Sequence, residues 1–569
     1  MKHEAMSAAA QIAYFSMEIA LDERFSTYSG GLGILAGDTL RSAADLGLPL
    51  VAVTLAYPNG YFRQSLDADG KQHEAPDHWS PAKLLERTAA RVTVTIEGRS
   101  VKIAAWRFDV VGFDHHVVPV YLLDTDLDEN TPEDRTITAN LYGGEARYRL
   151  SQEIVLGIGG GRMLEALGYR SLTTYHMNEG HAALVALELL ERVPGAAVAS
   201  LDAVKSRCVF TTHTPIPAGH DRFDAVLLRS VLGPEPTERL RRLGLIEKGA
   251  LNMTHLALRA SRFVNAVAMR HGEVSRDMFP GHDIWAITNG VHAATWVAPP
   301  FARLFDRTIP EWRRDNYQLR HASGIHLDEL KAAHAEAKLA LLAEVYERTA
   351  VRLAPDILTL GFARRATGYK RADWLFHDPI RLRALCMKVG RLQVVYGGKA
   401  HPHDEPGKAA IRHVLEARAA LRDVIDVVYV PNYDMTLAKY IVSGVDLWLN
   451  NPQPPLEASG TSGMKAALNG IPSLSVLDGW WIEGCVEDRT GWAIDESSDD
   501  SIYDKIEHAA LQLAASPDAY SEIMRYAITM NGSFFNTQRM VAQYARLAYA
   551  PRASDVSEGL RAVPQSVVR

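Results

Sequence analysis

Short apolar runs rich in β-branched residues alternate with amphipathic stretches along almost the whole chain. That alternation predicts strands and helices in turn. In the first half it predicts strands over 51–57, 92–96, 117–123, 173–177, 208–213 and 284–288. Helices are expected between them over 38–46, 179–192 and, as one long element, 251–269. Residues 327–352, dense in Ala, Leu, Glu and Lys, predict a long helix that separates two halves. The alternation then restarts, with strands over 357–362, 393–396, 424–430, 447–450 and 473–477. The second-half helices are expected over 379–388, 409–421, 436–443 and 464–468, and a helix over 537–549 closes the fold. This regularity predicts an α/β protein of two doubly wound, Rossmann-like domains, 1–290 and 291–550, with an interdomain cleft. Residues 551–569 read as a frayed C-terminal tail.

Composition narrows the class. With 569 residues the chain exceeds the size of one core, and 47% hydrophobic with 23% charged residues is ordinary for a globular protein. A net charge of −7 argues against a nucleic-acid partner, which requires clustered positive charge. Cys208, Cys386 and Cys485 are too scattered for a disulfide framework or a metal knuckle and fit a reducing compartment. The N-terminus lacks the apolar core of a signal peptide, and no apolar run is long enough to span a bilayer. A cytoplasmic protein without a membrane partner is expected.

Candidate chemistry gathers where strands should end. Thr461, Ser462 and Gly463 are expected to finish a loop, with Lys465 on the first turn of the following helix. Loop amides and a helix N-terminus make an anion cradle, and a Lys within it could take a phosphate-bearing aldehyde as a Schiff base. The same Lys could equally sit on a solvated helix. Gly361-Phe-Ala-Arg364-Arg365-Ala-Thr-Gly-Tyr369-Lys370-Arg371 places four cations in a turn directly after a strand. Arg365 could fork onto a phosphate and Lys370 act as a compact charge, unless the cluster is simply surface basic residues. Ser29-Gly30-Gly31-Leu-Gly33 offers a second phosphate site or a plain tight turn. An anion gripped from both halves would tie substrate binding to closure and exclude water. Glu457, with Ser459 and Gly460 behind it, suits sugar hydroxyls; Asn289 and His213 face the same cleft but could be turn caps. His401-Pro-His403-Asp404-Glu405 has ligand types without a spaced partner and reads as a solvated loop, so no metal is expected.

From Ala13-Tyr-Phe-Ser-Met-Glu18 to about Gly484 the chain resembles the α-glucan phosphorylases (glycogen, starch and maltodextrin phosphorylases), most closely their short prokaryotic branch. Glu457-Ala-Ser-Gly-Thr-Ser-Gly-Met-Lys465 is the most specific marker. Gly30-Gly-Leu-Gly33, Thr212-His-Thr214, Thr288-Asn-Gly290 and Gly397-Gly-Lys-Ala400 support it. The resemblance implies the two-domain glycosyltransferase type B fold and pyridoxal 5′-phosphate on Lys465, with the cofactor's phosphate rather than its ring doing the catalytic work. It implies that Thr461, Ser462 and Arg364 hold that phosphate while Tyr433 and Trp296 pack around the cofactor. Arg365, Lys370 and the Gly31 amide, in the turn with Gly30, would hold inorganic phosphate. Glu457, Ser459, Gly460, Asn289, Tyr369 and the His213 backbone would hold the terminal glucose of an α-glucan or maltodextrin. The implied reaction is retaining phosphorolysis of that glucose to α-D-glucose 1-phosphate.

The chain differs from the animal members at several points. Thr-Ser-Gly-Met-Lys replaces Thr-Gly-Asn-Met-Lys, Arg364 stands where they carry Lys, and Asp434 removes one cation near the cofactor. It begins almost at the first common motif, so an enzyme without their amino-terminal control arm is expected, and by analogy a possible homodimer. Two other readings stay open. A nucleotide-sugar glucosyltransferase of the glycogen synthase kind would share the Gly-rich and basic turns without needing Lys465 as a Schiff base. A catalytically silent glucan-binding protein would keep the fold alone.

Overall fold

Between Ile12 and Ala286 the β-branched runs join in a sheet of ten strands, seen in a computed structural model that describes residues 10–193 and 197–550. The order runs Trp285–Ala286, Phe263–Ala266, Cys208–Thr211, Thr174–Asn178, Ile12–Ser16, Leu50–Leu55, Val117–Asp124, Arg99–Val111 and Glu86–Arg87, with Val92–Ile96 paired to Arg99–Val111. The first seven are parallel, and Ile12 lies in register with both Leu50 and Thr174. Helices cover both faces there, so the central strands are buried throughout and read as unbroken apolar runs. The remaining pairings are antiparallel.

The second sheet has six parallel strands in the order Ile425–Val430, Leu392–Gly397, Thr359–Ala363, Leu447–Asn450, Ser473–Val476, Gly491–Ile494. Counted along the chain from Thr359–Ala363, that is 3-2-1-4-5-6, the doubly wound order whose switch point lies between its first and fourth strands. The α/β class with parallel sheets agrees with the sequence reading. The proposed tail, 551–569, lies outside the described residues.

Several elements differ from expectation. The single helix over 251–269 is instead helix Met253–Arg259, strand Phe263–Ala266 and the start of helix Met269–Met278. Phe-Val-Asn-Ala is buried on every residue, and a run of four carries no period that separates a strand from a helix. The helix expected over 464–468 begins at Thr461, which puts Lys465 past its first turn. Helix Leu327–Thr349 does not stand between the halves: Ala337, Leu341 and Val345 enter the second core, and Lys338 Nζ donates to Asp446 Oδ2 at 2.6 Å. The closing helix Thr537–Tyr544 returns to the first sheet, where Met540, Val541 and Tyr544 pack with Ile12, Tyr14 and Leu40.

The halves meet where backbone approaches backbone. At Gly290 an added Cβ would lie 2.2 Å from the Asn536 carbonyl carbon and oxygen, beside the bridge between Val291 and Asn536. We expect Gly290→Ala to cost about 1–3 kcal/mol, the range for overpacking. Urea unfolding checks this, and an unchanged midpoint would remove the contact from the account. A second tie is the hairpin Arg63–Leu66 and Gln72–Ala75: Gln64 exchanges two hydrogen bonds with Asn432, and Gln72 exchanges two with Ala400. Among the described residues no helix is long and apolar enough to cross a membrane, and no group of three or more His, Cys, Asp or Glu is placed to hold a metal ion.

Candidate active site

The second sheet's switch point carries a buried cluster of charge. Arg364 leaves strand Thr359–Ala363, and its Nη1 donates to Asn450 Oδ1 at the end of the neighbouring strand. Its Nη2 donates to Glu457 Oε2 at 2.5 Å. Lys370, from the tight turn Gly368–Lys370, donates Nζ to the same carboxylate oxygen and lies 4.6 Å from the centre of the Tyr369 ring. Burial alone would push the Glu457 carboxyl up, but Arg364 and Lys370 hold it well below the usual carboxylate range. Burial and the Arg364 charge push Lys370 down against the pull of Glu457. Arg365 is exposed and makes no hydrogen bond or ion pair among the described residues, so its guanidinium is available to an incoming anion. Three groups that the resemblance assigns to cofactor phosphate, inorganic phosphate and glucose therefore share one knot. An anion arriving there competes with Glu457 for cations.

Lys465 stands close by in the fold. Helix Thr461–Leu468 starts after Gly460, which takes the left-handed conformation at φ 85°, and no side chain caps its first amides. Thr461 and Ser462 are half-buried at that start. The Lys465 Nζ is buried, makes no hydrogen bond among the described residues and lies 4.0 Å from the centre of the Trp296 ring. Burial pushes its pKa down to about 8, with Asp38 opposing. Asp38 also accepts from Trp296 Nε1 at 2.7 Å, so a carboxylate on the helix after the Gly-rich turn orients the indole beneath the amine. Asn469 bridges Lys465 O and Trp296 O. Tyr433 packs on Gly397, where a Cβ would lie 3.0 Å from its ring. Only the neutral amine attacks an aldehyde. The rate at which Lys465 condenses with an added aldehyde should therefore rise with pH through about 8 and level off about one unit above. A rate still climbing steeply past pH 9 would show an ordinary, solvated lysine.

The first half contributes the opposite wall. Gly30 and Gly31 open helix Gly31–Asp45, and a Cβ at either would meet nothing within 4 Å. At Gly33, by contrast, a Cβ would strike Tyr28 and Glu18, so that glycine is required by packing. Buried Glu18 fixes the turn by accepting from Ser29 N at 2.5 Å and Gly30 N at 3.3 Å. Asn289 is buried with Oδ1 unpartnered among the described residues, as are the Ser459 hydroxyl and Arg364 Nε. Such orphaned polar atoms mark where a ligand or water completes the bonding. His213 is positioned by Glu179, whose carboxylate accepts from His213 N at 2.7 Å and Thr214 Oγ1 at 2.9 Å. Glu179 does this from φ 74° and ψ 164°, a conformation that non-glycine residues seldom hold. Burial pushes the His213 imidazole down to about 4, with Glu179 opposing, so the ring is neutral.

Sequence reasoning did not assign roles to Glu18, Asp38, Glu179 or Asp478. Asp478 accepts from Glu457 N at 2.9 Å and steadies that residue's backbone; burial raises its pKa to about 6. Glu18 ends the motif Ala13-Tyr-Phe-Ser-Met-Glu18, which was the available signal. Asp434 caps helix Met435–Gly444 through Leu437 N at 2.7 Å and pairs with Arg348 at 3.4 Å. Asp404 likewise caps helix Glu405–Ala420.

Comparison with known proteins bears on the same elements. A family model described as carbohydrate phosphorylase matches residues 18–125 and 222–491. The chain is 37% identical to a maltodextrin phosphorylase of Thermococcus litoralis, covering 95% of this chain and 70% of that one. It is 38% identical to a glycogen phosphorylase of Mycobacterium tuberculosis, covering 95% and 71%. An uncharacterised protein of Methanocaldococcus jannaschii is 33% identical over 94% of this chain and 99% of its own length. Because the matched segments take in the Gly-rich turn, the basic turn and the Lys465 helix together, the chain belongs to the carbohydrate phosphorylase family.

Proposed function

We propose that this protein is an α-1,4-glucan phosphorylase, a glycosyltransferase that moves the non-reducing-end glucose of a glycogen, starch or maltodextrin chain onto inorganic phosphate. The observation that carries the reading is the buried amine of Lys465, without a hydrogen bond among the described residues, beside the start of helix Thr461–Leu468 and the Arg364–Lys370–Glu457 cluster. The named activities of the Thermococcus and Mycobacterium relatives support it.

These residues fit pyridoxal 5′-phosphate. Lys465 presents a buried amine that loses its proton more readily than an ordinary lysine, the Thr461–Ser462 helix start and Arg364 offer donors for a phosphate, and Trp296 and Tyr433 supply aromatic walls. When bound, the cofactor supplies a second phosphate as an acid–base partner to the reacting one.

The chain's own groups divide the remaining work. Arg365, Lys370 and the amide of Gly31 receive inorganic phosphate, which gives a proton to the glycosidic oxygen as the C1–O4 bond breaks. The same phosphate then forms the C1–O bond on the face the leaving chain vacated, which retains configuration. Asn289, Ser459, Gly460, Tyr369 and the His213 backbone orient the glucose. Glu457 binds hydroxyls rather than serving as the acid: held ionised by two cations, it has no proton to give at neutral pH. This separates the proposed mechanism from a glycosidase, which keeps one of two carboxyls protonated. The three cysteines are free, in keeping with a cytoplasmic setting.

Incubation with maltodextrin and inorganic phosphate tests the reading. Glucose 1-phosphate is the expected product; free glucose, or turnover only with a nucleotide sugar, would overturn it.

A further inference from the structure

Between strand Trp285–Ala286 and helix Ala293–Trp296 the chain runs as irregular backbone through Thr288, Asn289 and Gly290. Such a segment aims a side chain only as well as its own backbone is held. Two charged side chains from the second half of the chain hold it. Arg539, in the first turn of the closing helix Thr537–Tyr544, donates Nη1 to Thr288 O at 2.7 Å and Nη2 to Asn289 O at 2.9 Å. Its other bonds fix the guanidinium itself: Nε donates to Phe534 O at 3.0 Å and Nη1 also to Gln543 Oε1 at 2.8 Å. The Phe534 ring lies 4.8 Å away beneath the group. From the other side Glu483 accepts from Thr288 Oγ1 at 2.7 Å and from Met269 N at 2.9 Å.

Burial pushes the Arg539 pKa down to about 10, with Glu483 opposing, so the group is charged at neutral pH. A planar fork can span two successive carbonyls, which an ammonium cannot do. The Asn289 amide is taken as well, by Val267 O at 3.0 Å. The backbone of Asn289 is thus tied at both its amide and its carbonyl. Its side chain is only 3% exposed, and Oδ1 has no partner among the described residues. A tied backbone that carries an unspent buried acceptor is a group held ready for a ligand.

We propose that Arg539 is a positioning residue of the glucose site, acting through Asn289 and not by contact with the sugar. The closing helix thereby belongs to the substrate site as well as to the first core. This rests on the assignment of Asn289 to the terminal glucose in the reading above.

The test is steady-state kinetics on the full-length protein, with amide hydrogen exchange as a readout that needs no substrate. Arg539→Met keeps the apolar stem and removes both carbonyl donors. It should raise KM for maltodextrin about five- to tenfold, the loss of one neutral hydrogen bond from a displaced Asn289. KM for phosphate should stay within about twofold, because Arg365 and Lys370 are untouched. Arg539→Lys should hold the rise to about two- to threefold, since it keeps one carbonyl. In an Asn289→Ala background either change should cost less than about twofold, the mark of a residue that works through its neighbour. Exchange in segment 287–291 should quicken at least about tenfold in Arg539→Met. An unchanged KM for maltodextrin would overturn the proposal, as would an equal loss in the Asn289→Ala background or unaltered exchange. Should Arg539→Met fail to fold, the same comparisons in Arg539→Lys decide the matter. Faster exchange in a protein that forms no glucose 1-phosphate would sink the phosphorylase reading and leave Arg539 holding Asn289 in place.

Discussion

On the proposed function, Lys465→Ala should lower phosphorolysis by more than about 10³-fold, because it removes the amine that would hold the group supplying the second phosphate. That loss is at least the scale on which a single preorganised charge-stabilising group acts. The fold should persist. The Lys465 Nζ makes no hydrogen bond among the described residues, and Asn469 ties the helix to the Trp296 segment through the backbone of residue 465. Truncation there relieves a buried, desolvated amine and leaves Trp296 anchored on Asp38. Thermal unfolding of the variant should therefore track wild-type protein prepared without cofactor. A variant retaining a tenth of wild-type turnover would show that Lys465 is no part of the chemistry.

Lys370→Ala comes second. It should reduce kcat/KM for phosphate by about 10²–10³-fold, as loss of one charged donor to a developing anion does. On the proposed function the effect is specific, because Glu457 keeps its bond to Arg364 and its carboxylate stays ionised and in place. KM for the glucan should change little. A parallel loss in both substrates would mean instead that the cluster had collapsed around an underpaired Glu457, the usual outcome of halving a buried ion pair. The two cases separate by varying phosphate at saturating maltodextrin and then the reverse.

Much of this architecture was legible because local signals agreed with global ones. The second half alternates so regularly that strand 447–450 was placed to the residue, and the Arg364–Lys370 turn falls at the switch point where doubly wound sheets gather ligands. Strand Phe263–Ala266 escaped because four buried residues have no measurable period. Strand Gly491–Ile494, equally short, escaped with it. Roles that depend on distant partners were out of reach. Asp38 and Trp296 are 258 positions apart, and nothing local to either says that one orients the other beneath Lys465. The role of Glu179 emerges only from its backbone conformation and its reach to His213, 34 positions away in sequence. The convergence of Arg364 and Lys370 on one oxygen of Glu457 was likewise invisible, since sequence names the charges but not their partners.

The central claim is that one buried amine carries the cofactor on which phosphorolysis depends. Borohydride reduction of the full-length protein as purified, followed by peptide mapping, tests it most directly. The account predicts a pyridoxyl group on the peptide containing Lys465 and on no other. A protein that forms glucose 1-phosphate from maltodextrin while Lys465 comes through reduction unmodified would contradict it.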